Sequence, residues 1–180
     1  MKFDIYFRAF KIEDAELINE LRNIPEYEDI IGGNKKFVSL EREKKWVEDI
    51  ILNDDQSKIY LSICKKMNDE MIGYISISDI DYRNGKCNFG GIKIKPGPVG
   101  YGFQAVLLLV KFIFEEMRIE RCSGECLENH ENMINLLLRA GFKKEGFMRN
   151  YVYKNGKYNN TVLLSLLSNE YLEIKNKYKI

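Results

Sequence analysis

Between Phe89 and Met117 the residue pattern changes period twice, and this change constrains the fold more than any other feature. Phe89 to Ile94 reads as an alternating apolar strand. Lys95-Pro96-Gly97-Pro98-Val99-Gly100-Tyr101-Gly102 is a Pro/Gly turn, and from Ala105 the apolar residues Leu108, Leu109, Phe112 and Ile113 fall at helical spacing. Val106, Val110, Phe114 and Met117 fill the helix's other side, so it is expected to lie between layers and not at the surface. A strand, a glycine loop and a helix start in that order suit anion capture. Glycine lets the backbone come close, and the unpaired N–H groups of the first helical turn face the ligand with the helix dipole behind them. The same spacing also serves as a plain strand-to-helix turn, and by itself it leaves both readings open.

The flanking segments set this unit inside a mixed sheet. Residues 3–10 alternate as a strand, and Ile12 to Asn23 carries Leu17, Ile18 and Leu21 on one helical face, stopping before Pro25. Ile24 to Phe37, with Pro25, Gly32, Gly33 and Asn34, reads as a long loop with room for a short turn of helix, and loops of that length tend to serve a site. Ser39 caps a helix to about Asn53. Lys58 to Lys65, Met71 to Ile80 and Lys86 to Ile94 then form an antiparallel meander. After the apolar helix come a strand, Arg121 to Leu127, and a helix, Glu131 to Ala140, closed by Gly141. A hairpin follows, Met148 to Tyr153 and Tyr158 to Leu167, turned on Asn155-Gly156. The predicted order is β α α β β β α β α β β.

Twenty-eight basic against 27 acidic residues leave a net charge of +1, which argues against nucleic acid or an anionic membrane as partner. No apolar run approaches a membrane span, and the N-terminus has no signal-peptide core, so a soluble cytoplasmic protein is expected. The four cysteines and one histidine supply no four-ligand metal cluster and read as reduced thiols.

Several stretches together resemble the Gcn5-related N-acetyltransferase (GNAT) superfamily, in the branch that includes the ribosomal-protein N-terminal acetyltransferases and drug- and polyamine-modifying relatives. They are Leu127-Glu128-Asn129-His130-Glu131-Asn132, Arg139-Ala140-Gly141-Phe142 with Glu145-Gly146, Tyr153 to Tyr158, and Met71-Ile72-Gly73-Tyr74-Ile75. The resemblance implies one domain over residues 1–180 with an α+β, α/β/α-layered fold: a mixed, mostly antiparallel sheet of about seven strands and about four helices. It also implies acetyl transfer from acetyl-CoA to a primary amine, on a protein N-terminus or a small molecule, without a covalent enzyme intermediate or a metal. Polyamine, amino-sugar or antibiotic acetylation is the alternative acceptor class, and a CoA-binding module without catalysis the alternative function. A monomer or homodimer is expected. Ile92, Lys93 and Ile94 would align the pantetheine arm, and Val99, Gly100, Tyr101, Gly102 and Phe103 would hold the pyrophosphate, with Asn129 and His130 as further CoA contacts. Glu125, Asn88 and His130 are the candidates for catalytic chemistry, and Glu28 and Asp29 could attract a cationic amine. Leu137 stands where the family often has a proton-donating tyrosine, and it donates nothing.

Overall fold

The three alternating segments after residue 58 become β2 (Ile59–Lys65), β3 (Met71–Asp81) and β4 (Lys86–Ile94), an antiparallel meander flanked by β1 (Ile5–Arg8). The computed structural model describes residues 1–32, 36–53, 55–97 and 100–180. Beyond β4 the sheet continues through β5 (Arg121–Leu127), β7 (Lys157–Leu167) and β6 (Lys143–Lys154), giving the order β1-β2-β3-β4-β5-β7-β6. Every neighbouring pair is antiparallel except β4 and β5. That parallel pair needs a crossover, and the apolar helix supplies it: α4 (Tyr101–Lys111) continues into a π-helical turn, Phe112–Glu116, before β5.

Helices α1 (Asp14–Arg22) and α3 (Leu40–Leu52) cover one face of the sheet. Ala15, Ile18, Leu21 and Val47 close there on Phe10 and Tyr74. Ser39 caps α3, its side chain accepting from the Arg42 N–H. On the other face α4, α5 (Glu131–Arg139) and α6 (Ser168–Tyr178) enclose the larger core, in which Leu107, Leu109, Ile113 and Leu137 meet Ile63, Ile75, Ile77 and Leu164. Gln104, buried in the first turn of α4, ties that helix to the strand edge beside β1. Its Nε2 donates to Asp4 Oδ2 at 3.0 Å and its Oε1 accepts from the Asp4 N–H at 2.8 Å.

Among the described residues the seven strands and the layering are as expected, but there are six α-helices where about four were expected. One addition is α2 (Pro25–Ile30), which forms in the long loop with Pro25 in its first turn, where the missing N–H costs nothing. The other is α6, which follows the last strand. Its only buried residues, Tyr171 and Ile174, make too narrow an apolar stripe to show as an amphipathic pattern. Helix α4 also begins four residues before Ala105, directly at the glycine loop, and β6 begins at Lys143, before Met148.

Candidate active site

The site follows from the one place where the sheet comes apart. β4 and β5 are paired only over Lys86–Asn88 and Arg121–Ser123, after which the strands diverge. On its other side β4 stays bonded to β3, with Gly73 opposite Ile94, Tyr74 opposite Lys93 and Ile75 opposite Ile92. The Lys95 N–H donates to the Ile72 carbonyl at 2.7 Å. By the two-residue alternation of an antiparallel ladder, Lys93 then bonds to β3, while Ile92 and Ile94 turn their N–H and C=O groups into the gap. The Ile94 carbonyl there accepts from the Tyr27 hydroxyl of α2 at 2.7 Å.

Beyond the gap lies the glycine loop. Gly100 is the residue before α4 and holds φ +120° and ψ −22°, a conformation open to glycine and strained for other residues. The Gln104 N–H bonds to the Gly100 carbonyl at 3.0 Å, so the N–H groups of Tyr101, Gly102 and Phe103 have no partner within the helix. Among the described residues nothing lies within 4 Å of where a Gly100 Cβ would stand. The backbone is therefore open to a close ligand, as an anion cradle requires.

A cleft of about 170 Å³ joins these parts. Ile92, Lys93 and Ile94 line it from β4, Gly102 from α4, and His130, Met133 and Leu136 from the start of α5, while Tyr27, Ile30 and Ile31 close it from α2. Glu28 and Asp29 of this segment were expected near the site but Tyr27, Ile30 and Ile31 were not, although Pro25 followed by these three at helical spacing carries the signal. Helix α2 buries no residue of its own, and polar contacts hold it over the cleft. They are the Tyr27 bond to Ile94, a Glu28–Lys93 ion pair at 3.0 Å, and a bond from the Lys154 ammonium to the Ile31 carbonyl.

The expected site residues are only partly brought together. Ile92, Lys93, Ile94, Gly102 and His130 line the cleft, and Gly100 and Tyr101 directly precede Gly102 at the start of α4. Phe103 packs its ring edge-on to Tyr178, with the Arg139 guanidinium 4.5 Å from its centre, so only its backbone N–H is available to a ligand. Val99 lies outside the described residues. Asn129 faces a separate depression of about 250 Å³ with Glu128 and Lys157 to Asn160. Glu125 alternates with buried Gly124 and Cys126 and stands exposed on the opposite side of β5, outside the cleft lining. Asn88, at the last paired rung, donates through Nδ2 to Asp79 Oδ2 at 3.0 Å.

Of the three candidates for catalytic chemistry, His130 alone lines the cleft, and burial lowers its pKa, favouring the neutral imidazole that can accept a proton. Leu137 is fully buried, its Cδ1 3.5 Å from where a Gly124 Cβ would stand, just past the point where the strands part. Asp29 accepts from Asn155 Nδ2 at 3.2 Å, and Glu28 is engaged by Lys93, so neither carboxylate stands as the bare cation trap the sequence suggested. Among the described residues no group of three or more His, Cys, Asp or Glu side chains could hold a metal ion, and all four cysteines are buried free thiols. No described helix is long and apolar enough to cross a membrane.

A parted parallel strand pair leading to a glycine-opened helix defines an acyl-transferase class, and comparison with known proteins agrees. The acetyltransferase (GNAT) domain family matches residues 4–143, and the chain belongs to that family of N-acetyltransferases. It is similar to the uncharacterised N-acetyltransferase p20 of Bacillus licheniformis, 25% identical over 168 residues, covering 91% of this chain and 93% of the relative. The probable N-acetyltransferase YjcK of Bacillus subtilis (strain 168) is 25% identical over 170 residues, covering 91% and 94%. Among solved structures, the spermidine N-acetyltransferase of Vibrio cholerae in complex with CoA and spermine superposes with a TM-score of 0.84. It is 18% identical, over 94% of this chain and 98% of that one.

Proposed function

We propose that residues 1–180 act as one acetyltransferase domain that moves the acetyl group of acetyl-CoA to a primary amine by direct attack. The observation that carries this reading is the backbone edge of Ile92 and Ile94, turned into the gap between β4 and β5 and leading to the free N–H groups after Gly100. An extended arm can bond to that edge as an added strand would. The N–H groups of Tyr101, Gly102 and Phe103 suit the diphosphate, and the apolar side chains of Ile92, Ile94, Met133 and Leu136 exclude water from the arm.

The attacking amine has to be neutral. His130 is the cleft residue able to take its proton, directly or through a water, because burial keeps its imidazole unprotonated near neutral pH. Leu137, where the family often has a tyrosine, supplies no proton. The thiolate leaves without one, which is feasible because a thiol is far more acidic than an amine.

The test is free-thiol release from acetyl-CoA with a panel of amino acids, peptides, polyamines and amino sugars, alongside calorimetric binding of CoA. Turnover with at least one amine supports transfer. CoA binding without turnover on any amine would replace this reading with that of a binding module.

A further inference from the structure

We propose that the Lys93–Glu28 pair reads the acceptor, and that the acceptor is a zwitterion: a primary amine with a carboxylate beside it, as in a free α-amino acid. The inference rests on the acetyl-transfer reading above and names its substrate class. Lys93 sits opposite Tyr74 and so shares the sheet face covered by α1 and α3, with its side chain only 10% exposed. It is the one residue bearing a fixed charge in the lining of a cleft that is otherwise built largely from Ile30, Ile92, Ile94, Met133 and Leu136.

An ammonium has three N–H donors, and one of them meets Glu28 Oε1 at 3.0 Å. Glu28 is 13% exposed, and among the described residues its second oxygen, Oε2, has no hydrogen-bond partner. Spare donors and a spare acceptor of opposite charge therefore lie side by side in surroundings where unpaired charge is costly. A simple cation at the spare Glu28 oxygen adds an unbalanced positive charge beside the Lys93 ammonium, and a simple anion at Lys93 adds an unbalanced negative charge beside Glu28. A zwitterion laid antiparallel to the pair meets both ends without breaking it.

The carboxylates around the pair offer no substitute trap for a polycation. Asp29 is bonded to Asn155, and Glu43, fully buried, lies 3.2 Å from Arg22. Lys93 also lies within electrostatic range of Glu43, but the ion pair of Glu43 is with Arg22 and that of Lys93 is with Glu28.

The measurement is kcat/KM for α-amino acids, their carboxamides and the corresponding decarboxylated amines, with spermidine in the same series, on the unmodified protein. The acids should exceed their carboxamides by about tenfold to a hundredfold, as expected for a charge-assisted contact in a dry site. This order would run against intrinsic reactivity, since the carboxamide's amine is the less basic and the more often neutral. Lys93→Met should erase the preference, and the double variant Glu28→Gln/Lys93→Met, which leaves no charge unpaired, should erase it too. Equal rates for acid and carboxamide, or spermidine outrunning every amino acid, would overturn the zwitterion inference and leave acetyl transfer standing. CoA binding without thiol release on any amine would overturn both.

Discussion

Gly100→Ala tests the link between the glycine loop and cofactor binding, because at this position the conformational and steric costs separate. Among the described residues a Cβ at Gly100 meets nothing within 4 Å, so the cost expected of the substitution is that of forcing an alanine to φ +120° and ψ −22°. Holding a residue in such a sparsely populated region costs about 1–3 kcal/mol. For a chain of this size that is a fall in Tm of about 2–12 °C, at roughly 2–4 °C per kcal/mol. The loop can escape the strain by relaxing, but relaxation moves the N–H groups of Tyr101, Gly102 and Phe103 away from their common focus. A loss of about 1.4 kcal/mol in that cradle weakens CoA binding about tenfold. The variant should therefore lose thermal stability, CoA affinity or both, read by differential scanning fluorimetry and isothermal titration calorimetry. Gly97→Ala is the control. Its Cβ would make only an ordinary contact, 3.8 Å from the Lys95 carbonyl oxygen, and its stability should stay within about 0.5 kcal/mol of the parent. Gly100→Ala matching the parent in both Tm and CoA affinity would refute the argument that this backbone is the anion cradle.

Gly141→Ala should be costlier to stability than Gly100→Ala, because a Cβ there combines φ +97° with contacts of 2.4 and 2.7 Å to Ile174 of α6. A Tm no lower than that of Gly100→Ala would contradict the role given to that close packing. The depressed pKa of His130 sets the sign of a pH effect: the unfolded chain takes up this proton at a higher pH than the folded one, so His130 makes stability fall as pH drops through about 6.5 toward its folded pKa. His130→Gln should flatten the Tm profile between about pH 7 and pH 5, and a profile with unchanged slope would show that the imidazole titrates as freely as in the unfolded chain.

What could be read from the chain, and what could not, divides along the range of the interactions involved. The strand-loop-helix unit is legible because Phe89 to Ile94, Gly100 and the apolar residues from Ala105 onward each act through local backbone preference and period. The parting of β4 from β5 is not local: it depends on pairing that stops at Asn88 and Ser123, 35 residues apart, and no residue type announces it. Helix α6 escaped notice because its eleven residues bury only Tyr171 and Ile174. Its position is set by what the rest of the fold offers it: Phe103 against Tyr178, Phe114 stacked on Tyr171, and Ile174 in the space a side chain at Gly141 would occupy. Glu28 shows how the same limit bears on function. Its acidic neighbours in α2 make it look like a cation trap, yet Lys93 of the cleft lining, 65 residues later, pairs with it and turns a single negative charge into a dipole. On the proposed reading, an acceptor chosen by that dipole has to present both signs of charge, which would make specificity a property of a pair that the fold assembles and not of either residue alone.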